Sequence, residues 1–252
     1  MSAHVLMPLP STDFDPTEVA ITHQILTENR IQVSFATPDG KPAKADPRML
    51  YGTGLGLFRK ILMARKDAVE ACLSMYNHES FKNPKPYNQL LSSDYDGLIL
   101  AGGHAPGMKV YLESNVLHKI TAEFFASNKP VGAICHGTIV AARSKRSDGK
   151  SVLYGYRTTC LLEKQEMAAF NLTRLWLGNY YRTYPDITVQ KEVTAALSKP
   201  DDFITGPLPG IKRDSKENLK VGFSLTDRNY ISARWPGDVY NFSLGYLKLL
   251  QQ

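Results

Sequence analysis

"PVGAICHGTIVAARS", residues 130–144, decides how this chain folds. Val131, Gly132, Ala133 and Ile134 form a short run of small and β-branched residues, the pattern of a strand buried on both faces of a parallel sheet. From Thr138 to Ala142 the small apolar residues predict a tightly packed helix. Cys135 stands at the corner between the two. A strand that turns sharply into a helix lifts the corner side chain to the carboxyl edge of the sheet, where the helix start favours negative charge. Gly137 keeps that turn uncrowded. A thiol at such a corner is expected to fall from about 8.5 toward the range of about 3.5 to 7.5, which would make it a nucleophile. A buried structural cysteine is the plain alternative. The strand before, the small-residue helix after and the adjoining His-Gly favour the nucleophile.

Working outward, "AHVLMPL" (3–9) reads as a first strand. The helix after it, in "STDFDPTEVAITHQILTEN" (11–29), has cap chemistry from Asp13 and Asp15 and a proline in its first turn. "IQVSFATPDG" (31–40) is a second strand ending in a turn. Strand, helix, strand is the opening of a parallel α/β sheet. Residues 41–92 interrupt the alternation with a long, largely helical stretch, expected to form a cap. Its "GTGLG" (52–56) follows no clear strand and lacks the Lys-Ser/Thr ending, so it is not a phosphate loop. The alternation resumes with "DYDGLILAGGHAPGM" (94–108), a strand running into a glycine-rich turn, and a helix around "VLHKITAEFFASN" (116–128). Beyond Cys135 come a helix over about 163–170, strands near "DITVQ" (186–190) and "DFITG" (202–206), a hairpin in "LKVGFSLTDRNYISARW" (219–235) and a closing amphipathic helix. Neither repeats nor a low-complexity linker interrupt the chain. The expectation is one α/β domain over residues 1–252 with a cap insertion at about 41–92.

Composition excludes several classes. Apolar residues make up 43% and charged residues 21% of the 252, ordinary for a globular protein. The net charge of +6 is spread over scattered basic residues without an aromatic-interleaved stripe, so no nucleic-acid partner is expected. No apolar run approaches the ~18 residues of a membrane span, and the first residues lack the basic start of a secretory leader. Cys72, Cys135 and Cys160 form no CxxC pair, which suits a reducing cytoplasm. No metal and no cofactor are expected.

A thiolate nucleophile needs a proton partner and an oxyanion site. The histidines are His4, His23, His78, His104, His118 and His136, and none follows the elbow. That order argues against the hydrolase arrangement, in which histidine lies far downstream. The partner is therefore His136 itself or an upstream histidine, with His104 in "AGGHAPG" as the chief rival. Gly102 and Gly103 let the backbone pass close to a ligand, so the amide of Gly103 and that of His136 are candidate oxyanion donors.

Taken together, "DYDGLILAGGHAPG", "PVGAICHGTIVAA" and the early acid in "FDPTEVA" resemble the ThiJ/PfpI superfamily, in its larger chaperone and glyoxalase III branch. The resemblance implies a flavodoxin-like three-layer α/β sandwich with a mostly parallel central sheet. It implies Cys135 as nucleophile, His136 as its histidine, Gly103 as the oxyanion glycine and Glu18 as a protonated carboxyl bonded to the sulfur. It implies an acid after the elbow that orients the histidine, assigned to Glu166 in preference to Glu163, and leaves His104 lining the substrate pocket. A homodimer and a cofactor-independent activity on a small reactive carbonyl are further expectations, the sharpest being conversion of methylglyoxal to lactate. The alternatives are amidase or peptidase chemistry on the same cysteine, or a non-enzymatic chaperone or redox sensor whose thiol is oxidised to sulfinate. "GGHAPG" and "ISARWPGD" depart from the branch's usual turns, so the pocket is expected to differ.

Overall fold

The computed structural model describes residues 3–210 and 212–252. Its main sheet has seven strands in the order β5-β3-β1-β6-β7-β9-β8. The strands are β1 (His4–Pro8), β3 (Gln32–Thr37), β5 (Lys85–Pro86), β6 (Gly97–Leu100), β7 (Val131–Ile134), β8 (Ser224–Asp227) and β9 (Tyr230–Ala233). All neighbours run parallel except β8, which pairs antiparallel with β9 through the two-residue turn Arg228–Asn229. A separate pair, β2 (Thr12–Phe14) with β4 (Lys44–Ala45), ties the first loop to the inserted stretch.

Helical layers cover both faces of the sheet. On one, α1 (Pro16–Glu28) packs against α4 (Lys66–Tyr76) and α11 (Val239–Leu250). Between α1 and α4 lie the short helices α2 (Pro47–Tyr51) and α3 (Arg59–Leu62), and α5 (Glu79–Lys82) follows. On the other face α8 (Gly137–Arg143) packs against α6 (Lys109–Leu112), α7 (Asn115–Ala126) and α10 (Val189–Ala195), with α9 (Glu163–Leu177) beside α10. The stretch 41–92 thus contains four helices and two short strands. Its α4 lies along α1, and β5 extends the sheet edge beyond β3.

Local chemistry explains these elements. Asp15 caps α1, its Oδ1 accepting from the amides of Thr17 (2.8 Å) and Glu18 (3.0 Å), with Pro16 in the first turn. Strands β6 and β7 are buried throughout, as an apolar central strand requires. Gly132 brings α11 onto the sheet: a Cβ there would lie 2.8 Å from Ile99 and 2.9 Å from Phe242. Among the described residues no helix is long and apolar enough to cross a membrane.

Two expected strands are not formed. "DITVQ" turns into helix because the Thr188 side chain caps α10, accepting from the Lys191 amide at 3.4 Å. "DFITG" stays irregular, joined to Thr158 by a single parallel bridge at Phe203. The helix expected over about 163–170 continues to Leu177. The sheet order reverses between β1 and β6, since β1 leads to β3 on one side and the chain returns to β6 on the other. Carboxyl ends of strands at such a switch are where open α/β sheets bind ligands.

Candidate active site

Cys135 follows β7 directly and takes φ +55°, a left-handed backbone that costs a residue with a side chain about 1–3 kcal/mol. The surroundings hold it there. Its amide donates to Ala233 O (3.1 Å), and Thr138 Oγ1 donates to its carbonyl (2.7 Å). Glycine is required two residues on, because a Cβ at Gly137 would lie 2.0 Å from Leu100 O. Only without a side chain can α8 begin this close to β6.

Two side chains converge on the sulfur. His136 is fully buried with Nδ1 3.4 Å from Cys135 Sγ. Burial, with a smaller push from His104, lowers its pKa to about 3, so the imidazole is neutral. Glu18 is also fully buried, and its Oε2 accepts from the Gly102 amide at 2.7 Å. Its other oxygen, Oε1, has no hydrogen-bond partner among the described residues. Gly102 shows how tightly the groups meet: a Cβ there would lie 2.8 Å from His136 N and 2.9 Å from both Cys135 Cβ and Glu18 Oε2.

Electrostatics couple the thiol to the carboxyl. Burial pushes Glu18 well above the usual carboxylate range, and the neighbouring charge of Asp15 pushes it further. Burial likewise pushes the Cys135 thiol up, then the charge of Glu18, while the His136 amide pulls it down. The sequence led us to expect a lowered thiol, and the opposing cause is this desolvation. Two such groups in contact do not both ionise. With the proton on Glu18 its repulsion vanishes, and the carboxyl can donate to a thiolate.

The remaining predicted residues occupy different places. Gly103 takes φ +151°, and its missing side chain admits Asp13 O, which a Cβ would meet at 2.6 Å. Its amide has no intramolecular acceptor among the described residues and borders the cavity next to Cys135. His104 lines that cavity too. Its ring stacks on Tyr181 at 4.4 Å and lies 6.4 Å from the ring of His136. Burial lowers its pKa to about 4, and its Nε2 has no partner among the described residues. Glu166 is not brought onto His136. Its Oε1 lies 3.1 Å from Arg182 Nε, and its Oε2 accepts from the Val189 amide at 2.9 Å. Burial raises it to about 7 despite Arg182. Glu163 faces Lys191 (2.8 Å), so neither acid orients the histidine here.

The cavity above Cys135 has a volume of about 390 Å³. Met49, Ile61 and Leu62 from the inserted stretch, with Leu161, Leu172 and Trp235, make its walls largely apolar. Glu18 and His136 stand behind the cysteine, outside the lining. Sequence reading did not assign Asp15, Tyr181 or Arg213 to the pocket. Asp15 was visible only as a helix cap, and the other two sit in loops with no motif. A larger open groove of about 800 Å³, bordered by Arg143, Lys145, Arg146 and Arg228, contains no cysteine. Among the described residues no group of three or more His, Cys, Asp or Glu side chains is placed to hold a metal ion.

Known proteins resemble this chain in sequence and in fold. A family model described as ThiJ/PfpI family-like matches residues 9–201. A glutathione-independent glyoxalase of Schizosaccharomyces pombe is 26% identical over 153 residues, 60% of this chain and 59% of that protein. The match therefore spans about three fifths of the relative's length. A deglycase of Pyrococcus abyssi is 24% identical over 165 residues, covering 66% of this chain and 68% of that protein. The solved glyoxalase III of Candida albicans shares the fold, with TM-score 0.67 and 16% identity over 98% of this chain and 97% of that one.

Proposed function

The chain belongs to the ThiJ/PfpI family, and from that premise we propose that it is a cofactor-independent enzyme of glyoxalase type, converting a small 2-oxoaldehyde to the 2-hydroxy acid through Cys135. The observation that carries this reading is the Cys135 elbow with buried Glu18 and neutral His136 behind it, at the foot of a largely apolar cavity. The relatives' names, glyoxalase and deglycase, support the same class of small reactive carbonyls.

The chemistry needs no redox partner, because methylglyoxal plus water has the atoms and electrons of lactic acid. Cys135 sulfur adds to the aldehyde carbon, and the oxygen takes up a proton to give a hemithioacetal. Gly103 N–H faces the oxygen on which charge develops. A base then removes the proton on that carbon and returns it to the neighbouring carbonyl carbon by way of an enediol. A neutral imidazole suits this step, and His136 Nδ1 is the nearest one to the sulfur, at 3.4 Å. The product is a 2-hydroxyacyl thioester. Water cleaves the carbon–sulfur bond, releases the acid and returns the proton to the Glu18–Cys135 pair. The homodimer and the cytoplasmic setting implied by the resemblance accompany this proposal.

Steady-state assays without glutathione test it, using methylglyoxal, phenylglyoxal, simple amides and peptides with wild type and Cys135→Ser. Turnover of the 2-oxoaldehydes, lost in Cys135→Ser, is expected. Hydrolysis of amides or peptides without aldehyde turnover would transfer the site to acyl-transfer chemistry instead.

A further inference from the structure

The cavity wall carries an arginine that makes no ion pair among the described residues. Arg213 is half-buried in the wall, where its Nη2 donates to Ile61 O (3.1 Å) and Leu62 O (3.4 Å) and its guanidinium lies 5.8 Å from the Trp235 ring. None of the ion pairs among the described residues includes it, although Arg65, Arg182 and Arg234 all have acidic partners. Asp15 in the same wall attracts the guanidinium but forms no ion pair with it, and its Oδ1 is taken by two amides at the start of α1. A half-buried guanidinium with no carboxylate in contact can take a ligand anion through charge-assisted hydrogen bonds.

A second observation points into the same space. Tyr181 is 8% exposed and lines the cavity, yet its hydroxyl is buried without a hydrogen-bond partner among the described residues. Buried phenols nearly always find partners. Its neighbour Tyr180 does so, donating to Asp46. The buried hydroxyls of Tyr95 and Tyr111 also lack partners among the described residues, but of the three only Tyr181 lines the cavity, where a ligand can reach it. A methylglyoxal molecule has no anionic group to pair with Arg213, and a cavity of about 390 Å³ is within the range that holds drug-sized ligands.

We propose that Arg213 and Tyr181 form a carboxylate subsite, and that the physiological substrate is a 2-oxoaldehyde carrying a carboxylate on an apolar spacer. One guanidinium and one phenol match a monoanion. A phosphate dianion would need more donors. The inference rests on the reading of Cys135 as the nucleophile and extends it to substrate class.

The test compares alkylation of Cys135 by iodoacetate and by iodoacetamide, followed by peptide mass spectrometry. In both reactions sulfur bonds to the methylene carbon and iodide leaves, so only the probe's charge differs. The iodoacetate-to-iodoacetamide rate ratio at Cys135 should exceed that of a free small thiol by about tenfold or more. It should fall about tenfold in Arg213→Gln, fall less in Tyr181→Phe, and be largely kept in Arg213→Lys, which retains the cation if loss of the carbonyl contacts loosens the loop. In turnover assays of phenylglyoxal against 4-carboxyphenylglyoxal, Arg213→Gln should raise KM at least tenfold more for the carboxylated substrate. A wild-type ratio equal to that of the free thiol, or one unmoved by Arg213→Gln, overturns the subsite. If the ratio behaves as expected while no 2-oxoaldehyde is consumed, the subsite stands and the glyoxalase reading fails.

Discussion

At the level of single residues, Glu18 and Cys135 share one proton between two buried groups. Glu18 sits behind Cys135 with one oxygen on the Gly102 amide and the other without a partner among the described residues. Glu18→Gln keeps the acceptor for Gly102 and can still donate to sulfur, but it cannot exchange the proton. We expect kcat to fall by about two to four orders of magnitude, the usual scale for losing an acid–base group, while thermal stability changes by no more than about 1 kcal/mol. Ordinary turnover in this variant would remove Glu18 from the chemistry. The two histidines separate in the same way. His136 touches the sulfur from behind and His104 lines the cavity, so His136→Ala should lower kcat by about 10²–10⁴-fold and His104→Ala should act mainly on KM. A rate loss that follows His104 and spares His136 would reverse the assignment. Cys135, His136 and Gly103 could be read from their places in short motifs. Tyr181 and Arg213 could not, because what makes them notable is the cavity they share, and a line of sequence does not show which distant loops meet.

At the scale of elements, close approach of helix to strand explains both the fold and the elbow. A Cβ at Gly137 would meet Leu100 O at 2.0 Å, with backbone on both sides and no flexible side chain to move. Gly137→Ala should therefore cost more than about 3 kcal/mol, at or beyond the upper end of overpacking. Denaturant melts would check this, and a variant melting like wild type would show that α8 can slide. The segment from α9 to α10 carries a second test. Burial raises Glu166 to about 7 from an unfolded value near 4.5, so the folded protein binds its proton more tightly than the unfolded chain. The penalty for ionising it is absent below about 4.5, grows as pH rises, and is complete above about 7. The melting temperature of Glu166→Gln minus that of wild type should accordingly rise between pH 5 and pH 8. A flat difference would mean that Arg182 cancels the burial. These elements also mark the limit of local reading. The strands β1, β3, β6 and β7 announced themselves as apolar runs, and the Arg228–Asn229 hairpin through its turn residues. "DITVQ" had the composition of a strand, but the Thr188 cap and the packing of α10 against α8 made it helical.

At the scale of the whole molecule, a seven-stranded sheet gathers parts that lie far apart in the chain. Glu18 follows β1, Gly102 and Gly103 follow β6, and Cys135 follows β7, three neighbouring strands at the switch in sheet order. The apolar roof comes from the inserted stretch and from α9. The parallel sheet was legible because strand and helix patterns alternate, and the cavity was not, because its walls come from segments spread along the chain from Asp15 to Pro236. The central claim is that the enclosed sulfur of Cys135 carries the substrate as a covalent intermediate. Rapid acid quenching of enzyme mixed with excess methylglyoxal, followed by peptide mass spectrometry, tests it most directly. We expect an adduct of one methylglyoxal on the peptide containing Cys135 in wild type, appearing before lactate accumulates and absent in Cys135→Ser. Lactate formed at the wild-type rate by Cys135→Ser, or with the adduct only on Cys72, Cys160 or lysines, would contradict the account.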